Sequence, residues 1–433
     1  MLAAVAPVTA LLVSVAFLLM GNGLQGTLLP VRASLEGFAA PEIGLIGTAY
    51  YLGFGAGCYF GGRLVRRAGH IRAFSAMASL ASAIALIHAL FLNPAFWWLF
   101  RGTAGFCFAV LYVVIESWLN ETASNENRGF VLSVYNIINL TVITIGQMMM
   151  VLYDPAAFPL FALASVLISL AVMPLSMTRS PAPAPVETVR LRLRHLYRIS
   201  PVACAGVAAV GLANGAFWAM APVFAQGRGL DVTGIALFMS ATVLAGAAAQ
   251  WPLGWLSDHR DRRHVILGAC LLGAAAGIAM VLFEAPWAWL DFALVAVFGA
   301  MAFPLYAVCV AHMNDYVARD EFVEASSVLL LLYAAGASVG AIPASVLMGE
   351  IGPGGLFAFT ATAHLGLAAF AVLRMRRRAA PPAAEKDQFV SVPRTSPTVF
   401  ALDPRGPLAD ERATTEDEVS IRDVGFTEVD ARD

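Results

Sequence analysis

Apolar runs of about twenty residues, separated by short charged tracts, constrain this chain more than any other feature. At 1.5 Å per helical residue, such a run matches the ~30 Å hydrocarbon core of a bilayer. Each run therefore reads as a transmembrane helix. Strands cross a membrane only as closed barrels of alternating polarity, and these runs do not alternate. Only 13% of the 433 residues are charged and 59% are apolar, where a soluble domain carries about a quarter charged residues. The expected class is an all-α membrane protein of twelve helices. Spans are predicted near 8–31, 43–64, 71–92, 95–118, 129–152 and 158–177, then 201–225, 233–256, 264–283, 287–312, 322–347 and 355–374. No basic residue precedes the first run, so it is read as a retained helix, not a cleaved signal.

Arginine sets the expected orientation. With both termini cytoplasmic, the inner loops hold Arg63, Arg66, Arg67, Arg72, Arg128, Arg179, Arg190, Arg260, Arg262, Arg263, Arg319 and others. The outer loops then hold only Arg32 and Arg228. This positive-inside bias points to a multi-pass membrane protein with both termini cytoplasmic. Cys58, Cys107, Cys204, Cys270 and Cys309 all fall in apolar runs without a CxxC pair, so they read as small buried hydrophobes, not a metal site or disulfide frame. No phosphate-binding loop and no nucleophile–base pair is present. Neither a cofactor, a metal, catalysis nor a nucleic-acid partner is expected.

The chain repeats itself. Asn22-Gly23, six residues, then Pro30-Val31 returns 192 positions on as Asn214-Gly215, six residues, then Pro222-Val223. Gly62 and Leu64 map onto Gly254 and Leu256 at the same offset. Leu111-Tyr112 with Asn120-Glu121 returns as Leu305-Tyr306 with Asn314-Asp315, 194 positions on, and Gly146 maps onto Gly340. A preserved order with a drift of two positions marks two like-oriented sets of six spans, an arrangement that places a binding site between bundles near the midplane. Four segments result: a first six-helix bundle over 1–178, a cytoplasmic linker over 179–200, a second bundle over 201–378 and a tail over 379–433. The Pro-rich, Arg-rich linker has two readings, contact with anionic lipid or a purely topogenic charge cluster. Residues 381–433 hold twelve acids against six bases and few large apolar groups, so a disordered acidic tail is expected.

Family features appear at the loops. Gly254-Trp255-Leu256-Ser257-Asp258 through Arg262-Arg263 resembles the signature loop of the major facilitator superfamily in its second-half copy. Gly62-Arg63-Leu64-Val65-Arg66-Arg67 has the signature's spacing, with Arg66 where the family has Asp. Arg101 with Gly105 is similar to the family's second motif, and Ile115-Glu116-Ser117-Trp118-Leu119-Asn120-Glu121 resembles the bacterial YcaD-type transporters. The resemblance covers residues 1 to about 378. It implies the major facilitator fold and a cytoplasmic latch made by Gly62, Arg66, Arg67, Gly254, Asp258, Arg262 and Arg263. By analogy Asp258 meets the start of span five near Arg128 and Gly129, where a helix N-terminus favours an anion. Arg66 and Arg67 either pair with Asp315, Asp320, Glu321 and Glu324 when the cytoplasmic side closes, or are solvated loop charges.

Polar groups inside hydrocarbon are costly and usually face a cavity or another helix. Arg101, Gly105, Phe108, Tyr112 and Glu116 form one stripe of span four, with the two charges about 22 Å apart along the axis. Glu116 is either a proton-exchanging group or a wetted residue at the cytoplasmic end. Arg101 has a substrate or gating reading beside a structural one. Asn136, Asn139 and Gln147 share a face of span five and are expected to line a wet cavity. Asn22 with Gln25, Asn214, and Trp218 complete the candidate cavity, although each asparagine adjoins a glycine and precedes a proline, so hinge support is the competing role. His312 and His364 read as helix-packing groups. The function expected is secondary active transport of a small organic solute by alternating access, coupled to protons, in a monomer surrounded by membrane lipid. A non-transporting sensor or scaffold that uses its tail is the alternative.

Overall fold

The computed structural model describes residues 9–124, 127–177, 192–283, 288–318, 321–377 and 386–404. Among them are twelve apolar helical spans of 18 to 30 residues and no strand. The first six comprise α1 (Thr9–Leu35), α2 (Ala40–Ala68), α3 (His70–Leu90), α4 (Pro94–Thr122), α5 (Arg128–Met148) and α6 (Pro159–Leu170) with its extension α7 (Val172–Ser176). A short helix, α8 (Leu193–Ile199), leads into α9 (Pro201–Gly227), α10 (Val232–His259) and α11 (Arg262–Leu282). The tenth span is α12 (Ala288–Ala302) followed by α13 (Leu305–Asn314), and α14 (Phe322–Ile351) and α15 (Gly355–Met375) complete the set. Arg179, Arg190, Arg319, Asp320 and the tail beyond residue 404 lie outside the described residues.

Helix starts follow local chemistry. Asn93 accepts from the Ala95 N–H at 3.0 Å, Asp231 from Gly234 at 2.7 Å and Asp261 from Arg263 at 3.0 Å, each satisfying an amide with no intrahelical partner. Gly37 and Gly229, at φ 77° and 81°, turn α1 into α2 and α9 into α10 in a backbone conformation that side chains disfavour. These glycines are 192 positions apart. At that offset α1 shares both boundaries with α9, and α3 with α11. The repeat read from short motifs is thus a repeat of backbone.

Packing repeats as well. A Cβ at Gly146 of α5 would sit 2.3 Å from the Met20 carbonyl of α1, and one at Gly340 of α14 would sit 2.0 Å from the Leu212 carbonyl of α9. Glycine lets each helix pair touch backbone to backbone, the way apolar solvent permits association without a hydrophobic driving force. The resulting bundles meet along α2 and α14. Their closest approach is at the end away from α8, here called the far end; the end carrying α8 is the linker end. At the far end Thr48 Oγ1 donates to the Ser338 carbonyl at 2.7 Å. A Cβ at Gly44 would fall 2.2 Å from Ser345 Oγ, and one at Gly47 would fall 2.4 Å from the Ala219 Cβ.

At the linker end the space between the bundles holds residues 386–404. Val399, Phe400 and Leu402 of a 3-10 turn (Pro397–Leu402) are buried there. The expected disorder of the tail does not extend to this stretch. Its composition is too poor to build a core of its own, but its hydroxyls and few apolar groups find a ready-made seat on the bundles.

Candidate functional site

Two chambers lie in line between the bundles. The far-end chamber, about 160 Å³, is lined by Asn22, Gly26, Tyr50, Tyr51, Arg101, Gln147 and Trp218 among others. The linker-end chamber, about 180 Å³, is lined by Tyr112, Asn136, Asn139, Gln250, Phe303, Tyr306, Tyr333 and tail residues Ser391 to Thr395. Tyr50, Tyr51, Ile143 and Trp218 border both. They form the neck.

In the far-end chamber Arg101 is buried. Its Nη1 donates to Gln25 Oε1 at 3.4 Å, and its guanidinium lies 4.2 Å from the centre of the Tyr50 ring, within cation–π range. Gln25 therefore stands behind Arg101 as its partner and does not line either chamber. Asn22 Oδ1 and Gln147 Oε1 are buried without a hydrogen-bond partner among the described residues, so two acceptors on α1 and α5 are left for a solute or water. Trp218 reaches the neck from α9 and stacks on Phe303 with centroids 5.6 Å apart.

Glu116 is a charged group buried within the bundle. Its side chain has no accessible surface. Tyr135 Oη donates to Oε1 at 2.9 Å, and Thr398 Oγ1 donates to Oε2 at 3.3 Å. Thr395 and Ser396 also donate to the carboxylate. The wetted-interface reading of Glu116 is corrected by this burial: the tail closes over it. Asn136 Nδ2 donates to the Ser391 carbonyl at 2.6 Å, whereas Asn139 turns back to the Tyr135 carbonyl at 3.0 Å. Tyr112 borders the same chamber.

Asn214 departs from the expectation. It is fully buried, neither side-chain polar atom has a partner among the described residues, and it lines neither chamber. Its neighbour Gly215 packs on α14, where a Cβ would fall 2.2 Å from the Ala337 carbonyl, so this turn of α9 is committed to the bundle interior.

The model of the Major Facilitator Superfamily matches residues 11–313 and again 203–405. The chain belongs to that superfamily. Its curated relatives include an uncharacterized MFS-type transporter of Enterobacter sp. (strain 638), 27% identical over 358 residues that cover 79% of this chain and 89% of the relative. The uncharacterized MFS-type transporter YcaD of Escherichia fergusonii is 26% identical over 344 residues, with the same coverage. In fold, the chain is similar to a mutant of the nucleoside transporter NupG (TM-score 0.71, 12% identity, 84% of this chain and 98% of that one). It is also similar to a bacterial homolog of the human lysosomal transporter Spinster in an inward-facing, occupied conformation (TM-score 0.70, 13% identity, 88% and 97%). Family membership makes the protein a multi-pass secondary transporter, not an enzyme.

The superfamily signature is put to an unusual use. Asp258, expected at the start of α5, is engaged by α11 and the tail. It pairs with Arg262 at 3.1 Å and accepts from the Phe389 N–H of the tail at 2.9 and 3.1 Å. Gly254 makes room for the Phe389 ring, which a Cβ there would approach to 2.3 Å. Arg262, with its side chain wholly buried, binds Asp315 at 2.7 Å and donates to the Asp387 carbonyl. Arg263 binds Asp261 at 2.7 Å. At the start of α5, a Cβ added at Gly129 would lie 3.7 Å from Pro404 of the tail. Gly62, Arg66 and Arg67 are at least partly exposed; of the acids expected to receive the arginines, Asp315 is bound by Arg262 and Glu321 and Glu324 by Arg192 at 3.0 and 2.7 Å, and Asp320 lies outside the described residues.

Tyr50, Tyr51, Gln250, Phe303, Tyr306 and Tyr333 were not among the residues the sequence singled out for the cavity. One of them carried a signal. Tyr306 is the repeat partner of Tyr112.

Proposed function

We propose that the protein moves a small organic solute across the bacterial cytoplasmic membrane by alternating access, with a proton exchanged at Glu116. The arginine distribution supports a cytoplasmic linker end and cytoplasmic termini. The observation that carries the reading is the pair of chambers in line between two bundles, joined at a narrow neck and sealed at the far end by small-residue packing. Rocking the bundles about that neck would expose the same polar groups to either side.

Glu116 suits coupling because it sits beside the solute space with hydroxyls as its hydrogen-bond partners and no ion-pair partner among the described residues. Gaining or losing one proton there changes the net charge between the bundles, giving the two access states different preferences for proton and solute.

The test begins with thermal-shift screening for stabilising solutes, followed by flux in proteoliposomes with an imposed pH gradient. One pH unit supports about tenfold accumulation per coupled proton. Wild type is expected to approach that ratio, and Glu116→Gln to lose the accumulation while keeping solute exchange. Accumulation that ignores the gradient, or survives in Glu116→Gln, removes proton coupling at this residue. A protein that binds its solute yet moves none of it returns the non-transporting sensor to first place.

A further inference from the structure

The tail does more than fill space. Arg394 places its guanidinium among three rings, 5.2 Å from the centre of Tyr333, 5.6 Å from Phe303 and 5.9 Å from Tyr306. These rings come from α14, the α12–α13 junction and α13, elements of one bundle that converge on the linker-end chamber. Tyr306 and Tyr333 meet edge to face at 5.3 Å, so the walls of the pocket are fixed by each other before any ligand arrives. Aromatic faces attract a cation at these distances, most strongly where water is excluded.

Arg394 fits this pocket imperfectly. Among the described residues its Nη1 is buried without a hydrogen-bond partner, and so is the hydroxyl of Tyr306, a residue only 1% exposed. A buried donor and a buried hydroxyl left unmatched in one pocket mark an occupant held there by the chain around it. That chain is well anchored. Ser391 binds Asn136 and Gln250, Thr395 and Ser396 bind Glu116, and the Phe389 amide binds Asp258. The tail thus touches polar groups of both bundles and brings a cation to the cage and hydroxyl donors to the carboxylate.

We propose that the Phe303–Tyr306–Tyr333 cage is the recognition site for a monovalent, guanidinium-like organic cation, and that Arg394 occupies it as a tethered competitor. The inference deepens the transport reading by naming the solute class, and it rests on that reading for every step after binding. A free cation that bonds the Tyr306 hydroxyl as well as the rings satisfies what Arg394 leaves open, and its arrival expels the tail from between the bundles. Tail seating and solute binding are then two uses of one pocket. The tail lowers apparent affinity by the fraction of time the pocket is left free.

The experiment uses the full-length protein in detergent and requires no flux. Binding of benzylguanidinium and its neutral analogue benzylurea is measured by calorimetry on wild type, Arg394→Gln, and Arg394→Gln combined with Tyr333→Leu. A tail seated about nine-tenths of the time predicts roughly tenfold tighter benzylguanidinium binding by Arg394→Gln than by wild type. Benzylurea should gain no comparable affinity, and Tyr333→Leu should abolish the gain. A melting curve for each variant confirms folding, and Phe303→Leu replaces Tyr333→Leu if the latter unfolds. Equal binding of the cation by wild type and Arg394→Gln, or equal binding of benzylurea and benzylguanidinium by Arg394→Gln, overturns the proposal. Because binding is read without transport, a negative result here leaves proton-driven flux standing, and an absence of flux leaves the cage standing.

Discussion

The two ends of the inter-bundle space are closed by opposite means. At the far end α2 and α14 meet through Gly44, Gly47, Thr48, Ala341 and Ser345, with backbone approach so close that a single added carbon collides. At the linker end the helices leave a chamber, and a stretch of the tail with hydroxyls, an arginine and a phenylalanine fills it. The first closure is made by what the side chains lack, the second by what an inserted segment supplies. A seam of small residues opens and reseals with little desolvation of polar groups. A polar plug must exchange each bond for water or for a ligand when it leaves.

The largest effect should come from wedging the seam. Gly47→Leu pushes several carbons into the Ala219 and Ala341 side of the contact, and overpacking of this kind costs about 1–3 kcal/mol. The closed-to-open ratio at the far end should fall by about tenfold or more, by the conversion of ~1.4 kcal/mol to a factor of ten. A cysteine at Gly26, a chamber position with open space around its Cβ, reports the change in a background without the five native cysteines. Labelling by a membrane-impermeant maleimide from the far side should accelerate accordingly. Unchanged labelling would mean that this seam is not what closes the far end.

Gly254→Leu attacks the other end and separates plug from scaffold. The new side chain takes the place of the Phe389 ring, yet leucine is the better helix former by about 0.8 kcal/mol. The tail should therefore loosen while the bundle does not. Trypsin cleavage after Arg394 is expected to quicken by about fivefold, for a loss of roughly 1 kcal/mol of seating, with the melting temperature held or raised. Faster cleavage accompanied by a falling melting temperature would show that the tail is part of the fold and no plug.

This contrast also explains which features were legible in the sequence. Hydrocarbon-length runs and repeated motifs are local or periodic signals, so α1 and α9 were visible as spans and as copies, whereas α3 and α11 were visible as spans only. The stripe from Arg101 to Glu116 was visible because helical spacing alone puts those residues on one face. Its surroundings were not, since the group that buries Glu116 comes from residues 395 to 398, almost 280 positions away. Composition shows a tail poor in large apolar groups, but composition carries no information about a seat on another surface. Asp258 was placed by analogy at a helix start, and analogy could not show its bonds to Arg262 and to the Phe389 amide. The cage was illegible for a different reason: three rings on separate elements have no spacing in sequence, and only the pairing of Tyr306 with Tyr112 hinted at one of them.

The smallest effect tests whether the linker end alone answers to pH. Asp261, between α10 and α11, caps the Arg263 amide and pairs with the Arg263 guanidinium. Burial by itself would push its carboxyl up, but the hydrogen bonds and charge of Arg263 outweigh that and hold it below the ordinary 3.8. A lowered folded value means stabilisation that is complete above the unfolded pKa and disappears as pH falls through the folded one. Asp261→Asn keeps a capping oxygen while removing the charge, so it isolates this contribution, about 0.5 kcal/mol after allowance for solvent screening. The melting temperature of Asp261→Asn should lie slightly below wild type at pH 7, and the two curves should converge below pH 3.8. Labelling at Gly26 in Gly47→Leu offers the control, because the contacts of the seam are carbons, hydroxyls and carbonyls with nothing to titrate. Its rate, corrected for the reagent's own pH dependence, should stay flat over the range in which the Asp261 difference closes. A seam that opened with the same pH profile would tie the two ends to one titrating group and dissolve the distinction between them.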